Sequence, residues 1–262
     1  MHKARKRFGQ NFLHDPSVIA HIVDSIAVRE EDNLVEIGPG KGAITALLLQ
    51  RAKTLNVVEL DRDLIPILLA QFANYAGFKI HQADALKFDF ASLWSAGHPL
   101  RIVGNLPYNI STPLIFHLLA LGDRVQDMHF MLQKEVVERM AAEPGNKSYG
   151  RLSIMTQYHC RVDQLFNVPP ECFVPRPKVD SAIVRLTPRP APELPATDVR
   201  ELDKLVTTAF QQRRKTLRNA LRSWLSEAEF EQLGINPGAR PETICGIDYV
   251  RMSNYCQSRP AA

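Results

Sequence analysis

At 262 residues, with 45% hydrophobic and 23% charged residues, the chain holds enough apolar material to bury a core, which excludes a mostly disordered protein. The length exceeds a common domain of roughly 150 residues, so one large domain or a large-plus-small pair is expected. A net charge of +4 is too small to name a partner; what matters is where the positive residues cluster.

Apolar runs such as Ala46–Leu49 and Ile67–Ala70 fall far short of the roughly 20 residues that span a bilayer, so no membrane association is expected. The basic start, Met1 to Phe8, has no apolar stretch behind it and does not read as a secretory signal. Cys160, Cys172, Cys245 and Cys256 include no C-x-x-C pair, and the histidines form no H-E-x-x-H motif. The expectation is therefore no disulfide framework, no metal, and a reducing cytoplasm.

In chain order, Asn33–Ile37, Thr54–Glu59, Phe78–His81, Leu100–Gly104 and Asp127–Leu132 read as short apolar strands, as expected when both faces of a sheet are covered. Helical patterns near Ala43–Ala52, Arg62–Tyr75, Thr112–Leu121 and Lys134–Ala142 alternate with them, which predicts a largely parallel sheet. Arg161–Val168 and Val179–Thr187 read as two further strands forming a hairpin at the sheet edge, for about seven strands in all. The segment Thr187 to Pro195 has four prolines in nine residues and reads as a stiff linker. Beyond it, Asp198–Arg222 has helical spacing at Leu202, Leu205, Val206, Ala209, Phe210, Leu217 and Leu221, and two or three short helices follow. The predicted organisation is an α/β catalytic domain over residues 1–190 and a small all-helical domain over 191–262.

Leu34-Val-Glu-Ile-Gly38-Pro-Gly40-Lys-Gly42 runs a strand into a glycine-dense turn and then a helix. Glycine lets the backbone approach a ligand at the carboxyl end of a sheet, where open α/β folds bind their ligands. The G-x-G-x-G spacing differs from the dinucleotide fingerprint G-x-G-x-x-G. Glu59 ends the second strand, 21 residues after Gly38, where a carboxylate can accept ribose hydroxyls. Asp84 follows the third strand, placed to accept an adenine amine, whereas Asp61 and Asp63 are expected to start the next helix and favour its dipole. After the fourth strand comes Gly104-Asn105-Leu106-Pro107-Tyr108. Asn105 brings a side-chain carbonyl acceptor, Pro107 stiffens the turn, and Tyr108 offers a ring for base stacking.

These motifs resemble an amino-group methyltransferase that uses S-adenosylmethionine (SAM). More narrowly, Gln10–Leu13, Val35–Gly42, Val103–Tyr108, Phe173–Ser181 and Phe210–Asn219 are similar to the small-subunit ribosomal RNA adenine dimethyltransferase (KsgA/RsmA) family, across essentially the whole chain. The resemblance implies a Rossmann-like SAM-dependent sheet with a C-terminal helical domain that binds RNA or the ribosome. It implies dimethylation of the exocyclic N6 amine of two adjacent adenines in a hairpin near the 3′ end of 16S ribosomal RNA. The implied partner is small-subunit ribosomal RNA, or the immature small subunit, met by a cytoplasmic monomer. By the same resemblance, Asn11, Leu13, Gly38, Gly40, Glu59, Asp84 and Asn105 contact SAM, and the target base sits among Asn105, Leu106, Pro107 and Tyr108 with Phe173 in support.

Basic residues gather at Lys3, Arg5, Lys6 and Arg7, at Arg176 and Lys178, and at Arg213, Arg214, Lys215, Arg218 and Arg222. Positions 214, 218 and 222 are expected on one helix face, and the three clusters on a phosphate-binding surface. Glu143–Gly150 reads as a flexible loop near the site. Three other readings share part of the pattern. They are an Erm-type large-subunit rRNA methyltransferase, a non-catalytic ribosome assembly factor of the same fold, and a nicotinamide oxidoreductase, which would leave Asn105–Tyr108 without a role.

Overall fold

The computed structural model describes residues 10–107, 110–190, 192–212 and 214–259. Lys3, Arg5, Lys6, Arg7, Tyr108 and Arg213 lie outside the described residues. The chain divides into two compact units, Met1–Val137 with Asp163–Pro188, and Glu138–Val162 with Arg189–Ala262. The division differs from a single boundary at residue 190, because residues 138–162 cluster with the C-terminal part.

The strands are β1 (Phe12–Leu13), β2 (Asn33–Ile37), β3 (Leu55–Glu59), β4 (Phe78–Gln82), β5 (Leu100–Asn105), β6 (Val125–Gln133), β7 (Cys160–Val168), β8 (Phe173–Val174) and β9 (Ser181–Pro188). Seven of them form one sheet in the order β4-β3-β2-β5-β6-β9-β7. The pairs among β4, β3, β2, β5 and β6 are parallel, whereas β9 runs antiparallel to β6. Residues of β2, β3 and β5 are buried almost without interruption, as strands covered on both faces should be. The predicted pair β7 and β9 are neighbours, but only β7 takes the edge; β9 is inserted beside β6. Their connection is more than a loop, since β8 pairs antiparallel with β1.

Helices α1 (Pro16–Ile26), α2 (Ala43–Arg51), α3 (Ile65–Gln71) and α4 (Ser111–Leu119) belong to the same unit, and α5 (Lys134–Ala141) contains the division. The sequence reading omitted α1, although its start is marked by Asp15, whose carboxylate accepts the Ser17 and Val18 amides, and by Pro16 in the first turn. Its Ile19, Ile22, Val23 and Ile26 are buried, at spacings that put them on one face, each worth roughly 1.5–3 kcal/mol.

The second unit holds α6 (Arg151–His159), α7 (Val199–Gln211), α8 (Leu217–Ala220), α9 (Glu227–Gln232) and α10 (Gly246–Ser258). In α7, Leu202, Leu205, Val206 and Ala209 are buried, and Arg151 of α6 makes a bidentate pair with Asp203 at 2.6 and 2.9 Å. The helix expected to run to Arg222 stops at Gln211. The apolar stripe lapses there, because its next positions are Gln212, Arg213 and Thr216. The Leu217 and Arg218 amides then bond to the carbonyls of Ala239 and Pro237. Arg214, Arg218 and Arg222 consequently do not share one helix face; Arg214 and Arg222 lie outside α8, and Arg218 pairs with Glu227 at 3.0 Å. The expected flexible loop at 143–150 is tied down within this unit. Tyr149 is 1% exposed, and the Gly145 amide bonds to the Glu242 carbonyl at 2.7 Å.

Candidate active site

Strand register decides where the motifs meet. Ile37 stands opposite Val58 and Gly104, and Glu59 opposite Gln82. The four parallel strands therefore end together, and the residues that follow them share one edge. Asn11, Leu13, Gly38, Gly40, Glu59, Asp84, Asn105, Leu106, Pro107 and Phe173 all line a single cavity of about 640 Å³. That volume is within the range of small-molecule sites.

The glycine turn is shaped by close approach. Gly40 has φ +58°, and a Cβ there would lie 3.0 Å from the Phe12 ring. Lys41 Nζ sits 4.8 Å from the centre of the same ring, on a cation–π contact. The segment 10–14 thus straps the turn. It is held by the β1–β8 pairing, by the His14 amide on the Cys172 carbonyl at 2.9 Å, and by Gln10 Nε2 donating to Asp61 Oδ2 at 3.0 Å. Asp61 does not start a helix, since α3 begins at Ile65; it is buried and anchors the strap instead. Phe12, Lys41 and Asp61 had no assigned site role in the sequence reading.

Glu59 is 6% exposed, and its Oε1 accepts the Asp61 amide at 2.7 Å. Burial pushes its carboxyl above the usual range, opposed by backbone amides of Asp61, Gly40 and Leu60. Asp84 Oδ1 accepts the Leu86 amide at 3.0 Å. Sequence reading also passed over Glu36, a buried acid in the cavity wall whose Oε2 accepts the Thr45 hydroxyl at 2.6 Å. Its signal was a charged residue inside an otherwise apolar strand.

Asn105 ends β5, and its Nδ2 donates to the Asn11 carbonyl at 3.2 Å. That bond commits the donor end of the amide to the strap and leaves Oδ1 as the end able to face a ligand. The Leu106 amide bonds to the Met131 carbonyl at 3.2 Å, and the Leu106 side chain is buried. Phe173 was expected in a hairpin loop; it lies in β8, opposite Leu13, and is 3% exposed within the core while lining the cavity. Gly104 precedes Asn105, and a Cβ on it would stand 2.6 Å from the Ile37 carbonyl oxygen. Because that neighbour is backbone, Gly104→Ala is expected to destabilise the fold by about 1–3 kcal/mol, read as a lower midpoint in urea.

Among the described residues, those of the basic clusters do not line this cavity. Arg176 and Lys178 are exposed between β8 and β9, with Arg176 Nη2 3.4 Å from Glu171 Oε2, and Arg214, Lys215, Arg218 and Arg222 are exposed in the second unit. Among the described residues no group of His, Cys, Asp and Glu could hold a metal ion, and no helix is long and apolar enough to cross a membrane.

The ribosomal RNA adenine dimethylase family model matches residues 1–258. Ribosomal RNA small subunit methyltransferase A of Saccharophagus degradans is 64% identical over 253 residues, covering 97% of this chain and 94% of that protein. Its Pseudomonas aeruginosa namesake is 58% identical over 259 residues, covering 99% and 97%. Among solved structures, a dimethyladenosine transferase from Plasmodium falciparum superposes with a TM-score of 0.80 at 27% identity, covering 92% of this chain and 95% of that one. The 23S rRNA methyltransferase ErmE superposes with a TM-score of 0.74 at 25% identity, covering 95% and 100%. A match over nearly the full length, with relatives this similar, makes the chain a member of the ribosomal RNA adenine dimethylase family.

Proposed function

We propose that the chain is a SAM-dependent rRNA adenine-N6 dimethyltransferase, acting on two adjacent adenines in a hairpin near the 3′ end of small-subunit ribosomal RNA during ribosome maturation. The observation that carries this reading is one cavity walled by the Gly38–Gly40 turn, the Glu59 and Asp84 carboxylates and the Asn105–Pro107 turn. The residues fit the cofactor: a backbone cradle that a Cβ would crowd, a carboxylate at the end of β3 for ribose hydroxyls, and one after β4 for an adenine amine. Asn11 and Leu13 close the cavity from the strap.

When bound, SAM supplies an electrophilic methyl group on a sulfonium sulfur that departs as a neutral thioether. Adenine's exocyclic nitrogen is a poor nucleophile because its lone pair is delocalised into the ring. Asn105 Oδ1 and the Leu106 carbonyl accept its N–H groups, favouring a pyramidal nitrogen with the lone pair turned towards the methyl. The nitrogen then forms the new N–C bond, and its surplus proton leaves to solvent. Positioning and fixed dipoles carry the rate. Both acceptors are neutral, which suits a second transfer when one N–H remains. The base must leave its stack, at a cost of a few kcal/mol that is smallest in a loop. Pro107 stiffens the turn beneath it and Phe173 backs it; Tyr108, next in the motif, is the candidate stacking ring. Arg176 and Lys178 of the first unit, Arg214, Lys215, Arg218 and Arg222 of the second, and Lys3, Arg5, Lys6, Arg7 and Arg213 are the candidate contacts to RNA phosphates. The enzyme works as a cytoplasmic monomer without a metal.

Mass mapping of methylated nucleotides after reaction with under-methylated small subunits tests this reading. Two dimethylated neighbouring adenines near the 3′ end are expected. Methylation of naked large-subunit RNA instead would transfer the assignment to the Erm type, and an absence of product with bound SAM would make the chain an assembly factor.

A further inference from the structure

A second cavity, of about 300 Å³, lies within the second unit. That size is at the lower end of small-molecule sites, enough for one nucleobase with part of its sugar. One wall comes from α6, where Ile154, Gln157 and Tyr158 fall three and four residues apart and share a face. The proline-rich segment and the start of α10 complete it. That segment is pinned in place. The Ala196 amide donates to the Tyr158 hydroxyl at 2.9 Å, and Asn254 of α10 accepts the Thr197 amide at 2.8 Å while donating to the Pro195 carbonyl at 2.9 Å. The cavity is therefore built into the fold.

The polar groups on its wall divide by role. Gln157 Nε2 donates to the Met140 and Ala142 carbonyls, both at 2.8 Å, which fixes the amide and leaves Oε1 as an acceptor. Arg189 Nε donates to the Gln157 backbone carbonyl at 3.0 Å, which orients the guanidinium, while its two Nη atoms have no hydrogen-bond partner among the described residues. Glu193 is exposed, and its carboxylate has no partner among the described residues either. Arg189 and Glu193 thus line one cavity with opposite charges and do not pair with each other.

A ligand that satisfies both must carry an anion for Arg189, N–H donors for Glu193 and Gln157 Oε1, and a flat apolar body for Ile154, Tyr158 and the buried Tyr149. A nucleotide has all three. Among the bases, guanine presents the most N–H groups on one edge, N1–H beside the N2 amine, in the fork that a carboxylate accepts with both oxygens. Uracil offers a single N–H between two carbonyls. We propose that this cavity binds an unstacked guanine nucleotide of the ribosomal RNA, with its base on Tyr158, its Watson–Crick edge on Glu193 and Gln157, and its phosphate on Arg189. The ligand class rests on the ribosomal RNA reading, although the cavity shares no lining residue with the first one.

Calorimetry on the full chain, with S-adenosylhomocysteine saturating the first cavity, would use GMP, UMP and guanosine as probes. AMP is omitted because it also fits the place of the target adenine. GMP is expected to bind about tenfold more tightly than UMP, within what one bidentate base contact discriminates. Guanosine, which lacks the phosphate, should bind about fivefold more weakly than GMP. Glu193→Gln should close the gap between GMP and UMP, and Arg189→Gln the gap between GMP and guanosine. Tyr158→Leu should weaken GMP about tenfold, whereas Tyr158→Phe should cost less than about threefold. Both variants lose the bond to the Ala196 amide, so only the ring separates them. On under-methylated small subunits, Leu194→p-benzoylphenylalanine places a photoreactive group in the cavity wall and should cross-link to a guanine of the RNA.

Equal binding of GMP and UMP, binding of neither, or a GMP preference that survives Glu193→Gln would overturn the proposal. A cross-link to a ribosomal protein would do the same and make the cavity a peptide pocket, and the absence of any cross-link would also count against it. Should Tyr158→Leu fail to fold, the exposed Glu193 still decides. A folded chain that neither binds S-adenosylhomocysteine nor methylates small subunits would instead sink the ribosomal RNA reading.

Discussion

Asn105→Ala is expected to lower turnover on under-methylated small subunits by about 10²–10³-fold, the loss typical of removing one preorganised group that acts on the reacting atoms. S-adenosylhomocysteine affinity should fall by less than about tenfold, because the Gly38 turn, Glu59 and Asp84 remain in place. Part of that smaller loss comes from the strap. The Nδ2 bond to the Asn11 carbonyl disappears with the amide, and a bond of that kind is worth about 0.5–1.5 kcal/mol. Asn105→Asp should not rescue turnover, since a carboxylate cannot donate to the Asn11 carbonyl and carries a charge where a neutral acceptor is required. Single-turnover methylation beside calorimetric binding separates the two effects. Turnover within about threefold of wild type would remove Asn105 from the chemistry.

The largest effect on stability is expected from Arg101→Met. Arg101, the second residue of β5, stands opposite Asp127 of β6, and the two side chains are 7% and 13% exposed. Its guanidinium donates to both Asp127 oxygens at 2.8–3.2 Å, to Asp32 Oδ2 at 2.5 Å and to the Ile26 carbonyl at 2.6 Å. Methionine fills similar space but leaves two carboxylates short of a counter-charge inside the fold. Breaking one partner of such a cluster costs about 3–5 kcal/mol. The exposed pair Arg51–Asp24, at 38% and 62%, is worth at most about 1 kcal/mol by contrast. Urea midpoints for Arg101→Met and Arg51→Met check the ranking, and equal small shifts would refute it. His129, on β6 two residues beyond Asp127, is held neutral by burial, its pKa pushed down to about 4. It therefore supplies no replacement cation near neutral pH.

The parallel strands were legible because their apolar runs are short and punctuated by glycine, and each expected boundary lies within two residues of the observed one. Glu59, Asp84 and Asn105 were legible for a related reason: in such a sheet, the residues following successive strands share one edge. The strap was read only as part of a motif. A two-residue strand such as β1 has no alternation to detect, and its partner β8 is 161 residues away along the chain. The loss of α7 after Gln211 could have been foreseen from the polar residues interrupting its stripe, whereas counting basic residues every four positions assumed the helix it was meant to test. Glu36 was hidden by its surroundings, since a lone acid in an apolar run gives no sign of whether it faces water or a ligand.

The insertion of β9 between β6 and β7 has a consequence for biogenesis. Chains emerge from the ribosome N-terminus first, so β4-β3-β2-β5-β6 can assemble once Gln133 is out. When β7 follows, it finds no strand to bond until Ser181–Pro188 arrives. Throughout that interval the nascent protein presents β6 as an open edge, a template for pairing with other chains. The same stretch of synthesis delivers β8 to β1. The cavity acquires its last wall at Val174, and the hazard ends by Pro188, 188 − 174 = 14 residues later.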